Sequence, residues 1–138
     1  MDYPIEAIGV ASPAAGVNFA YTADDDIMVV TFAFQLVTSA TVANRRFKLT
    51  VEDPSGNVIA RYESGADQAA SLTWLHHSER GGTSDAAAIN NWLGTFIPEE
   101  GIQMAPGYVL RSVVDNIQSG DQLSAIKLGI GRIGRSPS

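Results

Sequence analysis

Hydrophobic and polar positions separate most clearly in the last third of the chain. Gly107-Tyr108-Val109-Leu110-Arg111-Ser112-Val113-Val114 and Leu123-Ser124-Ala125-Ile126-Lys127-Leu128-Gly129-Ile130 are rich in Val, Ile, Leu and Tyr. Between them lies Asn116-Ile117-Gln118-Ser119-Gly120-Asp121-Gln122. β-Branched and aromatic side chains suit a pleated surface, whereas Asn, Ser, Gly and Asp tolerate positive φ and bond to nearby backbone. The pattern predicts a strand, a polar turn and a strand, closing as a hairpin.

The same signals recur upstream. Val17 to Tyr21 reads as a short strand closed by Thr22-Ala23-Asp24-Asp25-Asp26. A long strand follows from Ile27 to about Thr38. Val30, Phe32, Phe34 and Leu36 line one side of it, while Val29, Ala33 and Val37 keep the other apolar, which predicts a central strand covered on both faces. The next strand alternates, with Phe47, Leu49 and Val51 inward and Arg46, Lys48, Thr50 and Glu52 outward. Asp53-Pro54-Ser55-Gly56 then supplies a fixed φ and a left-handed position, turning the chain into Asn57 to Glu63. Gln68 to His77 reads as a strand, followed by an exposed loop from Ser78 to Asp85. Ala86 to Leu93 has some helical propensity, but Asn90-Asn91 and the β-rich surroundings favour a strand through Leu93 and Phe96.

About eight strands with near-regular turn signals predict an all-β, jelly-roll-like antiparallel sandwich. Residues 1–138 read as a single domain, with 1–13 and 131–138 as extended arms.

Composition changes the picture in two ways. Only 17% of residues are charged against 45% hydrophobic, so part of the surface is expected to be covered by neighbours. A net charge of −6 argues against a nucleic-acid partner, whose phosphates attract clustered Lys and Arg. The longest apolar run, Ile27 to Phe34, is too short to span a bilayer as a helix, and Met1-Asp2-Tyr3-Pro4 lacks the basic start of a secretory signal. Neither a membrane partner nor export is expected. With no cysteine there is no disulfide and no thiolate metal site.

The candidate chemistry is thin. His76 and His77 are the only histidines, and neighbours on a strand point to opposite faces, so they cannot converge on one metal or one reacting atom. Asp24, Asp25 and Asp26, with Asp121, offer carboxylates for Ca2+, yet the segment lacks the alternating ligands and mid-loop Gly of a calcium loop. A solvated turn is the expectation. Glu99-Glu100 could supply one member of a glycosidase pair, with no partner to place opposite it. No Gly-x-Ser-x-Gly elbow is present. Trp74 and Trp92 could stack on sugar, but aromatics more commonly pack cores and subunit interfaces. These residues predict no catalytic, metal or cofactor site.

Thr38-Ser39-Ala40-Thr41-Val42-Ala43-Asn44-Arg45-Arg46 before a strand, the turn through Asp53 and Gly56, Gln68-Ala69-Ala70-Ser71-Leu72-Thr73, and Pro106-Gly107-Tyr108 with Asn116 to Ile126 together resemble small virion proteins of tailed bacteriophages. The likeness runs from about Val17 to Gly131. It implies a non-enzymatic β-sandwich particle component, most simply a capsid decoration (cement) protein. Such a protein is made in the host cytoplasm, sits on the virion surface as a homo-oligomer, expected to be a trimer, and has the major capsid protein as partner. Trp74, Trp92, Arg132 and Arg135 are then the interface candidates, with the arms ordering on neighbours. A tail, baseplate or head-fibre module that binds a host receptor or glycan is the alternative.

Overall fold

The computed structural model describes residues 5–133. They form strands β1 (Ile5–Val10), β2 (Ala20–Thr22), β3 (Ile27–Val37), β4 (Arg46–Glu52) and β5 (Val58–Glu63), then β6 (Thr73–Glu79), β7 (Trp92–Gly94), β8 (Ile102–Met104), β9 (Val109–Asp115) and β10 (Gln122–Arg132). One sheet has the order β1-β10-β3-β6-β7, with β8 also paired to β3; the other has the order β2-β9-β4-β5. All pairings between strands are antiparallel except β6 with β7. Setting aside short β7 and β8, the chain wraps as 1-10-3-6 against 2-9-4-5, the paired Greek keys of a jelly roll. The all-β sandwich expected from the sequence is thus present, with ten strands rather than about eight.

The alternation along β4 behaves as expected: Phe47, Leu49 and Val51 are buried, while Arg46, Lys48 and Glu52 reach the surface. Thr50 is the exception. It is covered on the outward side and donates its hydroxyl to the Arg111 carbonyl at 3.4 Å. The turn after β4 also forms, with Gly56 at φ 86° and Asp53 Oδ1 accepting the Ser55 and Asn57 N–H groups, both at 2.9 Å.

β3 is central, between β10 and β6. Its inward set changes parity: Ile27 and Val29 are buried, then Val30, Phe32, Phe34 and Leu36. The register explains this, because Thr31 lies opposite Gly129 and Val29 opposite Ile130, leaving Val30 as an extra bulged residue. The expected cover on both faces is found on only one. Thr31 and Val37, on the outer face, are exposed.

Three further expectations are corrected. The final strand pair is not a hairpin, because β9 belongs to the four-stranded sheet and β10 to the six-stranded one. The link through Asn116 to Asp121 instead arches across the sandwich, and Asp121 is drawn inside it. The N-terminal arm is in part structural: β1 pairs along its whole length with β10, while Gly131 and Arg132 continue β10. Finally, Ser78 and Glu79 extend β6, and the strand expected through Phe96 ends at Gly94. β7 begins after a tight turn in which Asn90 and Asn91 take φ 51° and 65°, as a two-residue primed turn requires, with Ile89 and Trp92 exchanging N–H···O bonds at 2.9 Å.

The core lies between the inner faces. Phe34 is its centre, with Phe47 at 4.8 Å between ring centroids, Phe19 at 5.7 Å and the ring of His76 stacked at 4.9 Å.

Candidate functional site

The residues singled out in the sequence fall into four separate places. His76 and His77 do point apart. His76 is 1% exposed in the aromatic core, and His77 faces outward beside Trp92, with rings 5.3 Å apart. Gln68 fixes the state of His76. Its amide nitrogen donates to the Leu36 carbonyl at 2.8 Å and the Leu72 carbonyl at 3.2 Å, so its oxygen must accept, and His76 Nε2 carries the proton at 2.9 Å. Among the described residues Nδ1 then has no hydrogen-bond partner, and neither has the buried Thr95 hydroxyl. Burial first, and then the neighbouring His77, push His76 down to about 4.

Asp121 and the acidic turn lie at opposite ends of β3, a strand of 11 residues, so roughly 35 Å separates them. They cannot share an ion. Asp24 and Asp25 instead face Arg132, at 3.2 and 3.6 Å, and Arg132 Nε also donates to Glu6 Oε2 at 2.9 Å. These carboxylates hold Arg132 still more firmly protonated. Arg132, read as a contact for a partner, thus fastens β1 and the β2–β3 turn to the end of β10. Arg135 lies outside the described residues.

At the other end, the fold builds a cluster that the sequence reading does not single out. Arg45 and Asp121 form an ion pair with no exposed side-chain surface. Arg45 Nε donates to Asp121 Oδ2 at 2.9 Å and Nη2 to Oδ1 at 3.0 Å. Asp121 also accepts the N–H groups of Ser39 and Gln118, both at 2.8 Å, while Arg45 Nη1 donates to the Ala43 carbonyl at 2.7 Å. Burial on its own raises an acid, but Arg45 and these two amides together hold the Asp121 carboxyl below its usual range. The pair ties the β3–β4 loop to the β9–β10 arch. It is a structural lock, fully satisfied and closed to solvent. Adjacent Arg45-Arg46 offered one clue, since alternation places one of them inward.

Trp74 and Trp92 part company. Trp74 shares the inward side of β6 with His76, 6.2 Å away, and is opposite buried Leu36. Trp92 is 51% exposed on the outer face of β7. Glu99 and Glu100 occupy an exposed turn in which the Gly101 N–H donates to the Pro98 carbonyl. Among the described residues no three His, Asp or Glu side chains converge to hold a metal.

The two outer faces differ in kind. On the four-stranded sheet, Lys48 pairs with Asp115 at 2.6 Å, Arg111 with Glu52 at 2.7 Å and Arg46 with Asp67 at 2.6 Å. The six-stranded sheet instead presents Ile5, Ala7, Ala33, Leu75, Trp92 and Phe96 to the outside, floored by Gly129. Its charges are sparse, with Lys127 and Glu79 in neither ion pair nor side-chain hydrogen bond among the described residues. A shallow groove of about 250 Å³ lies here between Ile5, Ala7, Thr31, Ala33 and Lys127. The four-stranded face balances its charges within the chain, with large exposed apolar residues confined to Val58 and Ile59 on its β5 edge, whereas the six-stranded face is apolar across several strands.

The sequence matches no protein-family model and no curated protein. Among solved structures the chain is similar to one in the T13 viral particle of IBDV, at TM-score 0.48 and 13% identity over 94% of this chain. The match takes in 31% of that chain, so this chain spans about a third of the length of its structural neighbour.

Proposed function

We propose that this chain is a non-enzymatic virion structural protein, a capsid decoration protein of a tailed bacteriophage that oligomerises on the shell and stabilises it. The observation that carries the reading is the apolar outer face of the six-stranded sheet, with Trp92 at 51% and Ile5 at 52% exposure in a chain otherwise poor in surface charge. Aromatic anchors flanked by small residues suit a packed protein interface. The sequence resemblance to phage virion proteins supplies the partner class, the major capsid protein. Quantitative mass spectrometry of purified virions tests this: a copy number at a fixed ratio to the major capsid protein is expected, and absence from particles refutes it.

One observation favours the receptor-binding alternative. The primed turn at Asn90-Asn91 lifts Ile89, 68% exposed, beside Trp92 at the edge of the sandwich. A handful of copies per virion, together with glycan binding lost in Trp92→Ala, would move the protein to the tail or a head fibre.

A further inference from the structure

Among the described residues five strands, β1, β2, β5, β7 and β8, have an unpaired rim, and an exposed sheet edge is a template for pairing unless something blunts it. Four of the five are blunted. β7 is three residues long, and the preceding loop runs along its rim: Asp85 N–H donates to the Gly94 carbonyl at 3.0 Å, Gly94 N–H to Asp85 Oδ2 at 2.7 Å and Phe96 N–H to Ser84 Oγ at 3.0 Å. β2 and β8 are also three residues long. β5 carries Arg61 and Glu63, and its register slips beside Ile59.

β1 is neither short nor slipped in register among the described residues. Its six residues pair with β10 in unbroken register from Ile5 opposite Gly131 to Val10 opposite Ile126, and they include no Pro and no Lys. Four of them are exposed. The only charge, Glu6, is already neutralised within the chain by Arg132 at 2.9 Å.

We infer that the free rim of β1 pairs antiparallel with β1 of a second copy of this chain, about a twofold axis at Ala7, joining two six-stranded sheets into one. A second copy fits because the strand is self-complementary. Paired residues must share a sheet face, and Ile8 and Val10 pack toward the core while Ile5, Ala7 and Gly9 face outward. A register centred on Glu6 would oppose two carboxylates. Centring on Ala7 sets Ile5 beside Gly9 of the partner subunit and Glu6 beside Ile8 of the partner subunit, large against small and charge against none. The groove flanking β1 then continues across the axis, so the apolar faces of both copies become one surface. This deepens the proposed assembly role and replaces the expected threefold symmetry with a twofold one.

The chain has no cysteine, so a single Ala7→Cys variant reports on the axis. Opposed β-carbons lie roughly 4.5–5.5 Å apart in such a pair, near enough for a disulfide after slight adjustment. Sedimentation of the purified chain is expected to show a concentration-dependent dimer, and mild oxidation of Ala7→Cys a covalent one. Ala7→Lys, at an exposed position, should weaken the dimer at least about tenfold while leaving unchanged the melting temperature measured at concentrations where the wild-type chain is monomeric. A chain monomeric at every concentration overturns the inference, as does a dimer indifferent to Ala7→Lys or one that Ala7→Cys fails to crosslink. These readouts use purified protein, so they fail or succeed separately from copy number in virions.

Discussion

Replacing Asp121 with Asn tests whether the buried ion pair is the lock that holds the loop end of the sandwich. Both carboxylate oxygens are saturated: Oδ1 accepts Ser39 N–H and Arg45 Nη2, and Oδ2 accepts Gln118 N–H and Arg45 Nε, all within 2.8–3.0 Å. Whichever way the Asn amide is turned, its NH2 group confronts two donors, and Arg45 keeps a positive charge with no exposed surface. Removing one member of a buried pair costs about 3–5 kcal/mol, a large part of the ~5–15 kcal/mol that holds a domain together. For a chain of this length that corresponds to a melting temperature lower by roughly 10–15 °C. The assay is thermal unfolding by circular dichroism at neutral pH, with Arg45→Met/Asp121→Leu alongside, which removes both charges and is expected to recover at least about half of the loss. An Asp121→Asn melt within about 3 °C of wild type would refute the argument, because an uncompensated buried guanidinium cannot be that cheap. So would a double variant less stable than the single one.

Further outcomes follow from other sites. His76 folds with its pKa at about 4 against 6.5 unfolded, so the unfolded chain takes up the proton first as pH falls; stability rises with pH across this window, and about 2 kcal/mol should be lost from pH 7 to 5. Urea midpoints at pH 7, 6 and 5 measure it, His76→Phe should flatten the slope, and a flat wild-type profile contradicts the assignment. Asp121, held below its usual range, acts in a lower window: its contribution is present above the unfolded carboxylate pKa and is lost only as pH falls through the folded value. In Gly101→Ala a β-carbon would lie 2.6 Å from Met28 Cγ and 2.8 Å from the Val29 carbonyl at φ 80°, so a loss of about 2–3 kcal/mol is expected in thermal melts, and an unchanged melt would show that β8 can shift freely. Trp92→Ala should cost under about 1 kcal/mol of folding stability yet reduce incorporation into particles in a complementation assay; normal incorporation would remove Trp92 from the interface.

Much of the sandwich was legible because local and global signals agree where strands have one wet face. β4 and its turn into β5 show this: alternation, Pro54 and Gly56 each point to the structure that forms. The errors fall where partners are distant in sequence. Leu110 to Val114 and Leu123 to Ile130 look like a hairpin because the segment between them is rich in turn residues. β9 and β10 nevertheless lie in different sheets, and Asp121, on the arch between them, is held by Arg45, 76 residues away. No window centred on the arch can detect it. β1 looks like an arm in sequence for a similar reason, since its six residues gain their structure from β10, far along the chain.

The interface candidates divide along the same line. Trp74 and Trp92 are equivalent as sequence, both next to apolar residues in weakly patterned segments, and only pairing register tells them apart. Trp74 is opposite Leu36 on the inner side, whereas Trp92 is set beside Leu75 on the outer side by the parallel β6–β7 ladder. Arg132 stands out in the sequence by its charge, but that charge is met by Glu6, Asp24 and Asp25 within the same chain. The ion pairs are spent on the four-stranded sheet and on the two ends of the sandwich. That leaves the six-stranded face, with Trp92, Phe96, Ala33, Ala7 and Ile5 arrayed from one edge to the other, as the broadest apolar stretch among the described strands, which is why the proposed assembly contact is placed there.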